Sequence, residues 1–112
     1  MSRPKPKLRV LFYKTDAGNE PVRKWLKRLP PEERKTIGED IMTVQFGWPL
    51  GMPLVDSLGK NLYEVRIDLE NRIARVFFTL DSNQIILLHG IIKKSKKTPP
   101  EAIRLARKRM KG

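Results

Sequence analysis

Two arginines, a histidine, a glutamate and a cluster of lysines carry the chemistry legible in this chain of 112 residues. They fall between Leu62 and Thr98. Glu64 and Arg66 stand in Leu-Tyr-Glu-Val-Arg, and Arg75 in Arg-Ile-Ala-Arg-Val-Phe-Phe. His89 stands in Leu-Leu-His-Gly-Ile-Ile, directly before Lys93-Lys94-Ser95-Lys96-Lys97. A planar guanidinium binds phosphate through two parallel hydrogen bonds, so Arg66 and Arg75 are candidates for clamping a phosphate. His89 is the candidate general acid or base, because an imidazole with a reference pKa of about 6.5 suits neutral pH. Its alternative is a satisfied, buried histidine, since its strand is so apolar. Glu64 is a second candidate proton acceptor, and its alternative is an ion pair with Arg66 or Arg75. Lys93, Lys94, Lys96 and Lys97 are candidates for holding a nucleic-acid backbone, with Lys93 placed to protonate a leaving oxygen. A solvated linker is the alternative.

The inventory narrows the reaction. A single histidine provides no His pair for metal binding or two-histidine acid–base work, and without cysteine there is no thiol nucleophile or disulfide framework. No Walker glycine loop is present, and the scattered carboxylates argue against a two-metal nuclease. No metal or other cofactor is expected. A cationic face with one histidine and one glutamate can support metal-free RNA cleavage, in which the 2′-hydroxyl attacks the adjacent phosphate. That reaction needs a proton acceptor, a proton donor and cations for the phosphorane charge.

Three strands must position these groups. Tyr63, Val65, Ile67 and Leu69 alternate with Glu64, Arg66 and Asp68, and Ala74, Val76, Phe78 and Leu80 alternate with Arg75, Phe77 and Thr79. Such alternation marks half-buried strands. A two-residue turn at Glu70-Asn71 aligns the apolar faces, pairing Val65 with Val76, Tyr63 with Phe78 and Arg66 with Arg75. The stretch from Ile85 to Ile92 is apolar on both parities, as in a strand covered on both sides. A three-residue turn at Asp81-Ser82-Asn83 pairs Val76 with Leu88 and Arg75 with His89. The expected result is a row of Arg66, Arg75 and His89 across one face. Like charges directly opposite destabilise a sheet by roughly 0.2–1 kcal/mol, so that row points to an anionic ligand.

The rest of the chain supplies cover and charge. Residues 1–7 read as a flexible basic arm and 8–112 as a single domain. A first strand spans Leu8–Lys14. Helices follow over Pro21–Leu29, with Asn19 as cap and Trp25 on the apolar stripe, and from Pro31 to Gly47. Gly47–Asn61 reads as a long loop with no catalytic role. Thr98-Pro99-Pro100-Glu101 fits a capping box opening a last helix, with Thr98 as cap. The fold expected is a small α+β domain with a mainly antiparallel four-stranded sheet. Its order is strand, helix, helix, three strands, helix, with the helical hairpin on one face and a basic face left open. Net charge is +12, of which +8 lies from Lys93 onward, where Arg104, Arg107 and Lys108 join the lysines as candidate RNA contacts. No apolar run approaches the roughly 20 residues of a membrane span, and the N-terminus lacks a signal h-region, so a cytoplasmic protein is expected.

From about Val10 onward, and most specifically through Leu-Tyr-Glu-Val-Arg, Arg-Ile-Ala-Arg-Val-Phe-Phe and Leu-Leu-His-Gly-Ile-Ile-Lys-Lys-Ser-Lys-Lys-Thr-Pro-Pro, the chain resembles the phage-derived Gp49-like, HigB-type toxins of the RelE/ParE superfamily. The resemblance implies a RelE-like fold and the toxin of a type II toxin–antitoxin pair that cleaves mRNA in the ribosomal A site. It further implies that Arg66 and Arg75 clamp the scissile phosphate. The implied partners are the ribosome, mRNA and a helix-turn-helix antitoxin of the HigA/XRE type. Two other classes compete: a ParE-like toxin acting on a protein target without catalysis, and a plain nucleic-acid-binding module. ParE-like toxins usually lack the histidine and the lysine run, and a binder needs no histidine beside the arginines.

Overall fold

Proline sets where the helices begin. The computed structural model describes residues 7–111, with a strand β1 (Arg9–Phe12) followed by helices α1 (Pro21–Arg28) and α2 (Pro31–Gly47). Each helix carries proline in its first turn, where a backbone N–H would have no partner. Leu29 between them is extended, the conformation that a following proline favours. Glu32 and Glu33 in the first turn of α2 complement its dipole. Ile37, Ile41 and Val44 are buried on one stripe, and Trp48, where the helix stops, is extended. Asn19 does not cap α1. The cap position is Glu20, and the Asn19 carboxamide oxygen accepts from Lys24 Nζ at 3.1 Å.

The sheet has five strands rather than the four expected: β1, β2 (Val55–Gly59), β3 (Leu62–Asp68), β4 (Ile73–Asp81) and β5 (Gln84–Lys93), in spatial order β1-β5-β4-β3-β2, before α3 (Pro100–Lys111) closes the chain. Only the β1–β5 pair is parallel. The additional strand, β2, lies inside the stretch read as a loop. It reaches β3 through Gly59, Lys60 and Asn61, all at positive φ. The β3–β4 register is as expected, with Val65 facing Val76, Tyr63 facing Phe78 and Arg66 facing Arg75.

The β4–β5 register is not. The turn has two residues, pairing Asp81 with Gln84, and a bulge follows where Phe78 pairs with Leu87 and Phe77 with His89. Arg75 therefore faces Ile91, and His89 faces Phe77. A bulge adds one unpaired residue and reverses parity beyond it. That keeps His89 and Lys93 on the arginine face but moves the imidazole two residues along the sheet from Arg75.

Each face of the sheet has its own cover. The helical hairpin buries Val65, Ile67, Val76, Phe78 and Leu87, and Tyr63 and Phe78 stack with Trp48 edge-on. Each such aliphatic or aromatic side chain contributes about 1.5–3 kcal/mol when fully buried. Trp25 packs on this side against Gly90, where a Cβ would lie 2.4 Å from its ring. The opposite face is not left open along its length. Helix α3 buries Ala102 and Ala106 against Leu62, Phe77 and Leu88. Residues 1–6, most of the expected basic arm, lie outside the described residues. Lys7 is tied down, its N–H donating to the Gln45 carbonyl and its Nζ to the Trp48 carbonyl.

Candidate active site

Where α3 stops covering its face of the sheet, the cations begin. Arg66 and Arg75 stand directly opposite on β3 and β4 and line one cavity of about 190 Å³ with Lys96 and Asp68, walled by Met52 and Pro53. Those walls come from the connection before β2, for which no role was expected. Met52 is among the most exposed large apolar side chains among the described residues and forms the cavity rim.

Arg75 is 2 % exposed. One guanidinium nitrogen donates to the Ala74 carbonyl at 3.0 Å, and Nε has no partner. Burial first, and then the adjacent Arg66 charge, holds its pKa below the usual arginine range. Lys93, on the same face two strands from Arg66, also buries its ammonium without a partner, and burial followed by Arg75 lowers its pKa. Two unpaired buried donors beside a third cation form an arrangement that folding alone does not favour. A buried donor left unsatisfied costs about 1–3 kcal/mol, more when charged. The natural complement is an anion.

Glu64 is 1 % exposed and sits behind the arginines. Its carboxylate accepts from the Thr98 hydroxyl at 2.9 and 3.2 Å and lies 3.5 Å from an Arg66 terminal nitrogen. Asp56 on β2 approaches the same guanidinium at 3.7 Å. Thr98 thus spends its hydroxyl on a tertiary partner rather than on a capping box, and the first-turn N–H of Ala102 bonds to the Pro99 carbonyl instead. The Glu64–Thr98 contact fixes where the lysine run leaves β5 and enters α3. Neither Asp56 nor Thr98 was singled out for this role by sequence reasoning, and no local pattern around either marks it.

His89 opens elsewhere. Its ring stacks on Phe77 with centroids 5.9 Å apart and planes 17° from parallel, and it lines a separate cleft between β5 and α3. Burial, then the charge of Arg109, lowers its pKa from the ordinary histidine value. The remaining cations divide. Lys94, Lys96, Lys97, Arg104 and Lys108 are exposed. Arg107 donates to the Leu58 carbonyl at 2.8 Å and contacts the Gly59 carbonyl, tying α3 to β2. Arg109 does the same for the Leu88 carbonyl at the bulge and lies over the Tyr13 ring.

A family model described as Phage derived protein Gp49-like (DUF891) matches residues 24–111. The chain belongs to the Gp49-like family. The match spans Arg66, Arg75, His89, the lysine run and α3. The Gp49-like family is a RelE/HigB-type toxin family, and membership is consistent with a toxin of a toxin–antitoxin pair and implies an antitoxin partner. No curated protein matches this Gp49-like chain. Among its described residues no helix is long and apolar enough to cross a membrane, and no group of three or more His, Asp or Glu is placed to hold a metal ion.

Proposed function

We propose that this chain is the toxin of a type II toxin–antitoxin pair and an endoribonuclease that cuts mRNA on the ribosome, by attack of a 2′-hydroxyl on the adjacent phosphate. The observation that carries this reading is the pair of opposed guanidiniums, Arg66 and Arg75, lining one cavity with Lys96, with the partnerless Lys93 ammonium close enough to Arg75 to feel its charge. In-line attack builds negative charge on the non-bridging oxygens. Preorganised donors in a partly desolvated site stabilise that charge most. Arg75 and Arg66 take the phosphate oxygens, and Lys96 takes the neighbouring backbone. Lys93, its pKa lowered by burial and Arg75, is poised to give a proton to the leaving 5′-oxygen. Glu64 holds Arg66 and Thr98 in place, and the Asp68 carboxylate, which lines the same cavity, takes the proton of the attacking 2′-hydroxyl. Transfer of a proton by His89 into the arginine cavity is not part of this reading, because the imidazole faces the next cleft. Ribosomal alignment of the attacking hydroxyl supplies the rest of the rate.

Lys94, Lys97, Arg104 and Lys108 extend the cationic surface toward ribosomal RNA. The antitoxin, a helix-turn-helix protein of the HigA/XRE type by family resemblance, silences the toxin by covering this surface. A cytoplasmic location follows from the ribosomal target. The test is primer extension on a defined mRNA held on purified ribosomes, with the purified chain added. The reading expects cuts within the A-site codon, none on the same mRNA without ribosomes, and products ending in a 2′,3′-cyclic phosphate. Intact mRNA on ribosomes that the chain demonstrably binds would leave a nucleic-acid-binding module instead.

A further inference from the structure

The cleft containing His89 is unused by the chemistry above, and its make-up differs from that of the arginine cavity. It encloses about 390 Å³ between β5 and the first turns of α3. Ile91, Pro99 and Leu105 give it apolar walls, the imidazole stands at one side, and Glu101 and Lys93 mark its polar limits. Leu105 belongs to neither hydrophobic core, so its half-buried side chain faces the cleft without serving the packing of the domain. Lys93, whose buried ammonium has no partner, stands between this cleft and Arg75. His89 and Arg75 lie on the same face, two residues apart along the sheet. At a strand rise of about 3.3 Å per residue, that separation is roughly 7 Å.

We propose that this cleft receives the nucleobase adjoining the phosphate held by Arg66 and Arg75, with His89 reading its polar edge. The inference rests on the phosphate role given to the arginines in the preceding subsection. Single-stranded RNA is read by splaying a base out, sandwiching it against aromatic or apolar side chains and hydrogen-bonding its edge. The cleft supplies each element. Ile91, Pro99 and Leu105 contact the faces of the base. The imidazole, kept uncharged at neutral pH by burial and by Arg109, offers one donor and one acceptor. The exposed carboxylate of Glu101 accepts from an exocyclic amine, which favours adenine or cytosine over uracil. The stack on Phe77 fixes the ring plane, so the donor and acceptor directions are set before the base arrives. His89 is thus a specificity-determining residue.

The chain has one histidine, so its imidazole signals are unambiguous by NMR. The full-length protein is titrated at constant pH with inorganic phosphate and, separately, with each of the four ribonucleoside 3′,5′-bisphosphates. Inorganic phosphate should move the Arg66 and Arg75 side-chain signals and leave the His89 ring unmoved. The bisphosphates should move all three, with affinities spread by roughly tenfold between the best and worst base. Leu105→Trp, which fills the cleft, should abolish the His89 response and the base dependence while keeping the phosphate response at Arg75. Leu105→Ala, which widens it, should weaken the bisphosphates toward the affinity of phosphate alone. A His89 ring that ignores all four nucleotides while Arg75 responds would overturn the base site and leave the phosphate site standing. Silence at both places would overturn both.

Discussion

Replacing Arg75 by methionine should make this protein more stable and, by the same stroke, inactive. Arg75 is almost wholly buried, its Nε has no partner, and its other hydrogen bond runs only to the carbonyl of the preceding residue. It directly faces Arg66, and Lys93 adds a third cation whose ammonium has no partner. Removing the like-charge pair returns about 0.2–1 kcal/mol. Removing the orphaned donor returns about 1–3 kcal/mol. Against this stand the lost hydrogen bond to Ala74 and the attraction of Glu64 and Asp68, about 1–2 kcal/mol together. Methionine fills most of the volume, and buried charges replaced by apolar groups of similar size are often neutral or stabilising. The net expectation is a gain of about 1 kcal/mol, or roughly 4 °C in Tm for a domain of this size. Urea midpoints and thermal melts in phosphate-free buffer measure it. Phosphate should then stabilise the parent protein by about 1.4 kcal/mol at ten times its Kd, raising its Tm, and leave Arg75→Met unmoved. A variant destabilised by about 2 kcal/mol or more, or stabilised by phosphate as the parent is, would refute the reasoning and make Arg75 a structural residue.

Three further outcomes follow from particular contacts. Gly90→Ala places a methyl 2.4 Å from the Trp25 ring and should cost about 2–3 kcal/mol by urea unfolding, with part of the loss recovered when Trp25 is also reduced to leucine. Thr98→Val removes the hydroxyl that donates to buried Glu64 and should cost about 1–3 kcal/mol, with faster amide exchange in the first turn of α3; unchanged exchange there would separate the two elements. His89 has a folded-state pKa below its unfolded value of about 6.5, so the unfolded chain takes up the proton first. Stability should therefore be level above that pH and fall as pH drops from there through the folded value; His89→Gln should remove that part of the slope, and identical pH profiles would contradict it.

Much of this was legible because two strands alternate cleanly. The parity of Tyr63, Val65 and Ile67 against Ala74, Val76 and Phe78 leaves one register that buries both apolar faces, and it sets Arg66 against Arg75. No comparable constraint exists in β5. Ile85 to Leu88 are apolar on both parities, so periodicity could not choose between turn lengths or reveal the bulge at Leu88, and the expected partner of His89, Arg75, lies two residues from the observed one, Phe77. Strand β2 was missed because it is a short edge strand whose Asp56, Ser57 and Gly59 carry no apolar pattern; its signal lay in the turn residues Lys60 and Asn61. Tertiary partners override local motifs elsewhere. Thr98 satisfies Glu64 instead of a helix end, and Arg107 satisfies β2 carbonyls instead of facing solvent. Composition does not reveal such contacts, because they depend on which segments the finished fold brings together.

Arg66 and Arg75 should act together on one scissile phosphate, and single-turnover cleavage of mRNA already seated in the A site measures that directly. Arg66→Ala and Arg75→Ala should each slow the cut by about 100-fold or more with ribosome binding kept, and the double variant should be scarcely slower than the worse single one, as for groups that act as a unit. Cleavage that declines only in proportion to weakened ribosome binding, with each arginine contributing independently, would contradict it.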